Sequence, residues 1–335
     1  MTRFAYFCGH EQWHPEDLVQ HAILAEEAGF DAVVVSEHFH PWVDDQSASG
    51  FAFSTIGAMA AATSRVELIT GVTTPLFRYH PGVVAQAAAT LDRLCSGRFT
   101  LGVGTGENIN EGPLGFEFPA YAERNSRMAE AIEIMRRLLD GEKLSFEGAH
   151  YRTDRARLYS PPVGPVPILL AAGGPKSAAL AGASAQGVIV SVKSPSEAIE
   201  NVITPLREAA AGADRPSPIV LATRWSIMAD DDEEAWRAIY PWRGLRAPGR
   251  LEAVDPADLR AMADSMPREE ILERYARATS AAEVVDAYRP LVEQVGADYV
   301  TFQMASLDQP ELIRILGKEV LPALRAVAEA RREPR

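Results

Sequence analysis

Asp31-Ala32-Val33-Val34-Val35-Ser36 runs directly into Glu37-His38-Phe39-His40-Pro41-Trp42. The first half is a β-branched run with no polar break, the pattern of a strand buried on both faces, as in a parallel sheet. The second half puts a carboxylate, two imidazoles and an indole where that strand ends. Parallel α/β barrels place their chemistry at such strand ends. An imidazole titrates near neutrality and so can take or give a proton at working pH. An indole offers a flat apolar wall with one donor. The same residues also fit a strand end whose His and Trp merely pack against a neighbouring loop.

Outward from this stretch the chain alternates. Strands are expected at 3–8, 31–36, 66–70, 99–103, 166–170, 188–192, 219–228 and 298–302. Helices are expected at 15–28, closed by Gly29, and at 51–62, 81–94, 121–139, 176–185, 197–211 and from 310 onward. Strand–helix alternation implies crossover connections and a parallel sheet. Eight such units close most naturally into an α/β fold of the (β/α)8 TIM-barrel kind, with an open doubly wound sheet as the alternative. Residues 142–165 and 230–266, rich in Pro, Gly and charge, read as insertions over the C-terminal mouth, leaving a single domain over 1–335.

The 335 residues are 47% hydrophobic and 24% charged, which suits a large core. A formal charge of -13 argues against nucleic acid and anionic membrane surfaces as partners. Cys8 and Cys95 show neither disulfide-framework nor metal spacing, so reduced thiols in the cytoplasm are expected. Residues 1–9 have no basic segment leading into an apolar one, and no apolar run reaches the ~18 residues of a membrane span. No His-Glu-x-x-His or comparable pattern points to a metal.

In a barrel, consecutive strand ends face one rim. Glu11 follows the first strand, Glu37, His38 and Trp42 the second, Gly71-Val72-Thr73-Thr74 the third, and Glu107, Asn110 and Glu111 the fourth. An imidazole and carboxyls at different depths supply a base and an acid with separated pKa values. A single Glu there reads as a cap or a rim charge; four among the first four strand ends read as a site. Gly102, Gly104 and Gly106 let a flat ring lie close to the backbone, but they lack the G-x-G-x-x-G spacing of a nicotinamide site. Gly173-Gly174 before a helix offers backbone N–H groups to a phosphate, or is just a tight connection.

Four motifs carry a family resemblance: Ser36–Trp42, Thr74-Pro75-Leu76-Phe77-Arg78-Tyr79-His80-Pro81, Gly102–Glu111 and Ala171-Ala172-Gly173-Gly174-Pro175. With them the chain resembles the luciferase-like barrel superfamily and, within it, the dehydrogenases that use the deazaflavin coenzyme F420 on glucose 6-phosphate. The resemblance implies a homodimer that oxidises a small-molecule sugar phosphate by hydride transfer to the deazaflavin. It implies His38 as base, Glu107 as the carboxyl that protonates the ring nitrogen, Trp42 as a shielding indole and Glu11 as a supporting carboxylate. It also implies cofactor contacts from Glu37, Gly71, Val72, Thr74, Asn110, Gly173 and Gly174, with a cis peptide at Gly71–Val72. A substrate-phosphate pocket of Ser191, Lys193, Arg250 and Arg274 follows in the same way. The chain departs from the family pattern at Arg250, where the family has lysine, and at Glu37, where it has aspartate. Lys193 aligns only after a one-residue shift. Other activities compatible with this fold are F420-dependent reduction or alcohol oxidation without a phosphate, flavin mononucleotide monooxygenation, and non-catalytic ligand binding.

Overall fold

The computed structural model describes residues 1–45 and 48–331. Eight parallel strands carry the fold: β1 (Arg3–Cys8), β2 (Ala32–Val35), β3 (Glu67–Thr70), β4 (Phe99–Val103), β5 (Ile168–Ala171), β6 (Gly187–Ser191), β7 (Ile219–Met228) and β8 (Tyr299–Ala305). Consecutive strands pair around the sheet, and β8 returns to β1 with Tyr299 opposite Arg3 and Phe302 opposite Tyr6. That closing pair excludes the open doubly wound sheet, which keeps two unpaired edges.

Side chains alternate across a strand, and here each face has its own core. Ala5, Ala32, Val34, Ile69, Leu169, Ile189, Leu221 and Tyr299 fill the barrel interior. Phe4, Tyr6, Val33, Val35 and Leu68 pack outward into the larger cluster shared with the helices. Both faces are dry, which is why the strands read as unbroken apolar runs. At the N-terminal end of the strands Arg3 pairs with Glu67, and the Tyr299 hydroxyl donates to Glu67 at 2.5 Å. The opposite, C-terminal end is left for loops.

The insertions go to different places. The 142–165 segment forms an antiparallel hairpin, Leu144–Glu147 with Arg152–Ala156. Asp92, in the helix Pro81–Leu94, accepts from the Val163 N–H at 2.7 Å, and Arg93 donates to the Pro161 carbonyl at 3.0 Å. Glu130 of the helix Tyr121–Leu139 holds the hairpin turn through the Ala149 and His150 N–H groups. The hairpin therefore lies along the flank and not over the mouth as expected, because a two-stranded ribbon needs an apolar surface and these helices bury its Leu144.

The 230–266 segment packs against the loops that follow β1 and β2. It contains helices Asp232–Ile239 and Pro256–Asp264 with the turn Tyr240–Arg246 between them. Trp242 Nε1 donates to Gln12 at 2.6 Å, and the fully buried Arg243 binds Asp45 at 2.8 Å and Asp264 at 2.7 Å. These bonds fasten the insertion across the loops after β1 and β2. A further strand, Ala276–Ala278, adds to the end of β7; two alanines around one arginine carry no β-branched signal, so nothing in the sequence marks it. The Gly71–Val72 peptide bond is cis. Among the described residues no helix is long and apolar enough to cross a membrane.

Candidate active site

His38 projects from the loop after β2 into the mouth. Its Nδ1 lies 3.0 Å from the His40 carbonyl, which can only accept, so the ring proton belongs on Nδ1 and Nε2 is the basic atom. That Nε2 faces Glu11 Oε1 at 3.3 Å and Glu107 Oε2 at 3.8 Å. The Trp42 ring lies 4.7 Å from the imidazole, centroid to centroid, and limits water on that side. Strand ends β1, β2 and β4 thus bring together three residues far apart in sequence.

Glu11 is itself held. The Ser36 hydroxyl donates to Glu11 Oε2 at 2.5 Å and accepts the His10 N–H at 2.8 Å. His10 is fully buried, with Nδ1 2.7 Å from the Ser36 carbonyl and Nε2 2.8 Å from the Thr55 hydroxyl. Burial lowers its pKa from the ordinary histidine value, so it stays neutral and serves as a fixed strut.

Beneath the cofactor-side motifs sits a buried charge cluster. Arg78 binds Glu37 Oε1 at 2.7 Å and pairs with Glu111, whose side chain is wholly buried. Burial works against the charge on Arg78, but the two carboxylates more than offset it and its pKa is raised. Asn110 accepts the Phe39 N–H at 2.8 Å, tying the loop after β4 to the one after β2. Two polar atoms on this wall, Glu37 Oε2 and Trp42 Nε1, are buried with no partner among the described residues. Such groups are rare in a protein interior.

These residues line a cavity of ≈ 490 Å³ at the C-terminal end of the barrel. Its apolar walls include Phe7, Val34, Val72 and Ile189; Gly71, Gly104, Gly106 and Gly173 line it where a side chain would intrude. The glycines have separate reasons. A methyl at Gly104 would meet Val72 at 2.6 Å, a packing demand, whereas Gly173 and Gly174 have nothing within 4 Å and leave open space. Arg250 comes down from the insertion, its Nη1 2.5 Å from Glu107 Oε1 and its guanidinium 5.7 Å from the Trp42 ring.

Of the residues to which the family resemblance assigns a role, all but Gly174, Lys193 and Arg274 line this one cavity; Glu111, Thr73 and Gly102, also singled out at the strand ends, do not. Gly174 lines an adjoining recess of ≈ 360 Å³ with Tyr121 and Lys176. Lys193 and Arg274 line a third, of ≈ 260 Å³, which shares Ser191 and Trp225 with the main cavity and so communicates with it. Arg250, expected beside Lys193 and Arg274, lines the main cavity instead, because Glu107 claims it. Sequence reasoning missed Thr223 and Gln303, which stand on β7 and β8; treating the ends of those strands like the first four would have found them. It also missed Arg78, although that residue lies inside a quoted motif, and Arg224 and Arg246 in the third recess. Burial lowers the Lys193 pKa, and the nearby positive charges of Arg246, Arg274 and Arg250 lower it further.

The family model described as luciferase-like monooxygenase matches residues 2–299. The chain is 37% identical over 331 residues to an F420-dependent glucose-6-phosphate dehydrogenase of Nakamurella multipartita, covering 97% of both chains. It is 38% identical over 331 residues to the protein of the same name from Beutenbergia cavernae, covering 97% of this chain and 98% of that one. Among solved structures, an F420-dependent secondary alcohol dehydrogenase in complex with an F420-acetone adduct superposes with a TM-score of 0.90 at 33% identity, covering 97% of this chain and 99% of the other. An F420-dependent tetrahydromethanopterin reductase from Methanopyrus kandleri shares the fold, with a TM-score of 0.78 at 22% identity over 96% of this chain and 99% of that one.

Proposed function

The chain belongs to the luciferase-like monooxygenase family, and we propose that it is a coenzyme F420-dependent dehydrogenase that oxidises a sugar 6-phosphate, such as glucose 6-phosphate, to its lactone. One observation carries this reading: His38 Nε2 stands between Glu11 and Glu107 on the wall of a glycine-edged cavity that opens into a basic recess. The fit to a flat, polar-edged ring rests on that glycine edge and on the unpartnered Glu37 Oε2 and Trp42 Nε1. Glu37, Gly71, Val72, Thr74, Asn110, Gly173 and Gly174 would hold the cofactor, which when bound supplies a two-electron hydride acceptor. Ser191, Lys193 and Arg274 would meet the substrate's phosphate.

In this reading His38 takes the hydroxyl proton of the reacting carbon at Nε2 as the hydride leaves. The imidazolium that forms then lies beside two carboxyl groups, which stabilise its charge where little water reaches. Trp42 covers one face of His38, and holding the carbon against this wall supplies part of the rate through proximity. Glu107 Oε1 is bound to Arg250 and its Oε2 faces His38 Nε2. That suits stabilisation of the imidazolium.

Mixing the protein with oxidised F420 and glucose 6-phosphate should bleach the deazaflavin absorbance. Bleaching by secondary alcohols but by no sugar phosphate would move the assignment to alcohol oxidation, the activity named for the solved structure at 33% identity. A protein that is yellow as isolated and consumes oxygen would instead be a flavin enzyme. Ser36→Ala removes the hydroxyl that fixes Glu11 without touching the cavity's ring-binding side. We expect kcat to fall about tenfold, the worth of one good hydrogen bond, with F420 affinity unchanged. An unaltered kcat would mean that Glu11 needs no such support.

A further inference from the structure

Around the closed sheet β6, β7, β8, β1 and β2 follow one another. The rim therefore passes from Ser191, which lines both the cavity and the recess, by way of β7 and β8 to Glu11 and His38. The other half of the rim, β3 to β5, carries the glycine edge assigned above to the cofactor. A substrate reaching from His38 towards the recess thus runs past the ends of β8 and β7. Alternation sets what it meets there. Leu221 and Tyr299 face the barrel interior, so Thr223 on β7 and Thr301 and Gln303 on β8 share that face. Thr301, in register with Thr223, is wholly buried with its hydroxyl enclosed. Thr223 and Gln303 stand where the interior opens, and both line the cavity.

Gln303 is 8% exposed and Thr223 6%, so both are more than nine-tenths buried. The other glutamines nearby are paired. Gln309 accepts the Tyr6 hydroxyl at 2.8 Å and donates to the Met304 carbonyl at 3.1 Å, and Gln12 accepts Trp242 Nε1 at 2.6 Å. The Gln303 amide makes no hydrogen bond among the described residues, and its polar atoms remain open to the cavity. Trp225 stands in register with it on β7, and Phe7 follows the β1 residue paired with Phe302. The Phe7 and Trp225 rings meet edge to face at 6.0 Å, so apolar surface flanks the amide. An amide carries no charge and offers one acceptor and two donors, the complement of a hydroxyl that both gives and takes.

We propose that Gln303 binds the hydroxyl on the carbon next to the reacting one, so that the site selects vicinal diols over simple alcohols. Its strand fits it to that place. β8 adjoins β1, whose end carries Glu11 beside His38, whereas Thr223, one strand further round, adjoins β6 and meets the next group towards the recess. The inference rests on the dehydrogenase reading above and deepens it. A polyol satisfies the amide, while a bare hydrocarbon at the same point leaves it without a partner, which is how a polar site rejects an analogue that lacks a hydroxyl.

Gln303→Met keeps the length of the side chain and removes the amide. Two substrate pairs read the result: glucose 6-phosphate against 2-deoxyglucose 6-phosphate, and 1,2-propanediol against 2-propanol. In each pair only the first member has the neighbouring hydroxyl. Gln303→Met should lose roughly 10- to 100-fold in kcat/KM with the first member and little with the second, so the parent's preference collapses. Unchanged F420 affinity certifies the fold. A preference that survives in Gln303→Met, equal losses for both members, or a parent with no preference overturns the assignment. The pairs also keep it apart from the reading above. A parent that oxidises only the alcohols removes the sugar-phosphate reading, and loss of its diol preference in Gln303→Met still upholds Gln303. A parent that oxidises none of the four sinks both.

Discussion

His38→Ala is expected to lower turnover by roughly 10²–10⁴-fold, the usual contribution of a positioned proton acceptor, while F420 still binds. The expectation comes from the ring's surroundings. The His40 carbonyl holds Nδ1 at 3.0 Å, so Nε2 is the atom presented to a hydroxyl, and among the described residues no other imidazole lines the cavity. Stopped-flow absorbance of the deazaflavin reports the chemical step, and fluorescence titration reports cofactor affinity. Equal losses of rate and affinity would make His38 a packing residue. A rate within threefold of the parent would pass the role of base to Glu11 or Glu107.

Removing Arg78 should cost about 3–5 kcal/mol of stability, because it leaves two carboxylates buried without their cation. Glu37 and Glu111 are 3% and 0% exposed at their side chains, and Arg78 is 6% exposed, so water cannot take over its part. Denaturant unfolding of Arg78→Met measures the loss. Adding Glu111→Gln to that variant should return part of it, since one of the stranded charges is then gone. A loss below about 1 kcal/mol would place the cluster with ordinary surface ion pairs. The same variant should weaken F420 binding, as Glu37 loses the partner that aims its free oxygen at the cavity.

Much of the fold was legible because its signals are local. The Val33–Val35 run, the glycine after the first helix and the matching runs at 99–103 and 219–228 are written in neighbouring residues, and the strands fall on or within a few positions of them. Barrel geometry then converts strand ends into a common rim, which is why Glu11, His38, Trp42 and Glu107 could be grouped without coordinates. The strand Ala276–Ala278 was not legible, since its extended shape comes from pairing with Ser226–Met228 and not from its own residues. The flank position of the 142–165 hairpin was hidden for the same reason.

By itself, then, the sequence determined a parallel α/β sheet and which side chains stand at its strand ends, because hydrophobic period and strand order are local, whereas the β8–β1 pair that closes the barrel showed only in the structure. Tertiary structure alone decided which cation meets which anion. Arg250 lies 143 residues from Glu107 and binds it, while Arg246, four positions earlier and unmarked by any motif, stands over the Tyr275 ring instead. Electrostatic pairing depends on the distance between charges in space, and in a barrel that distance is set by loops converging from separate strands, not by spacing along the chain.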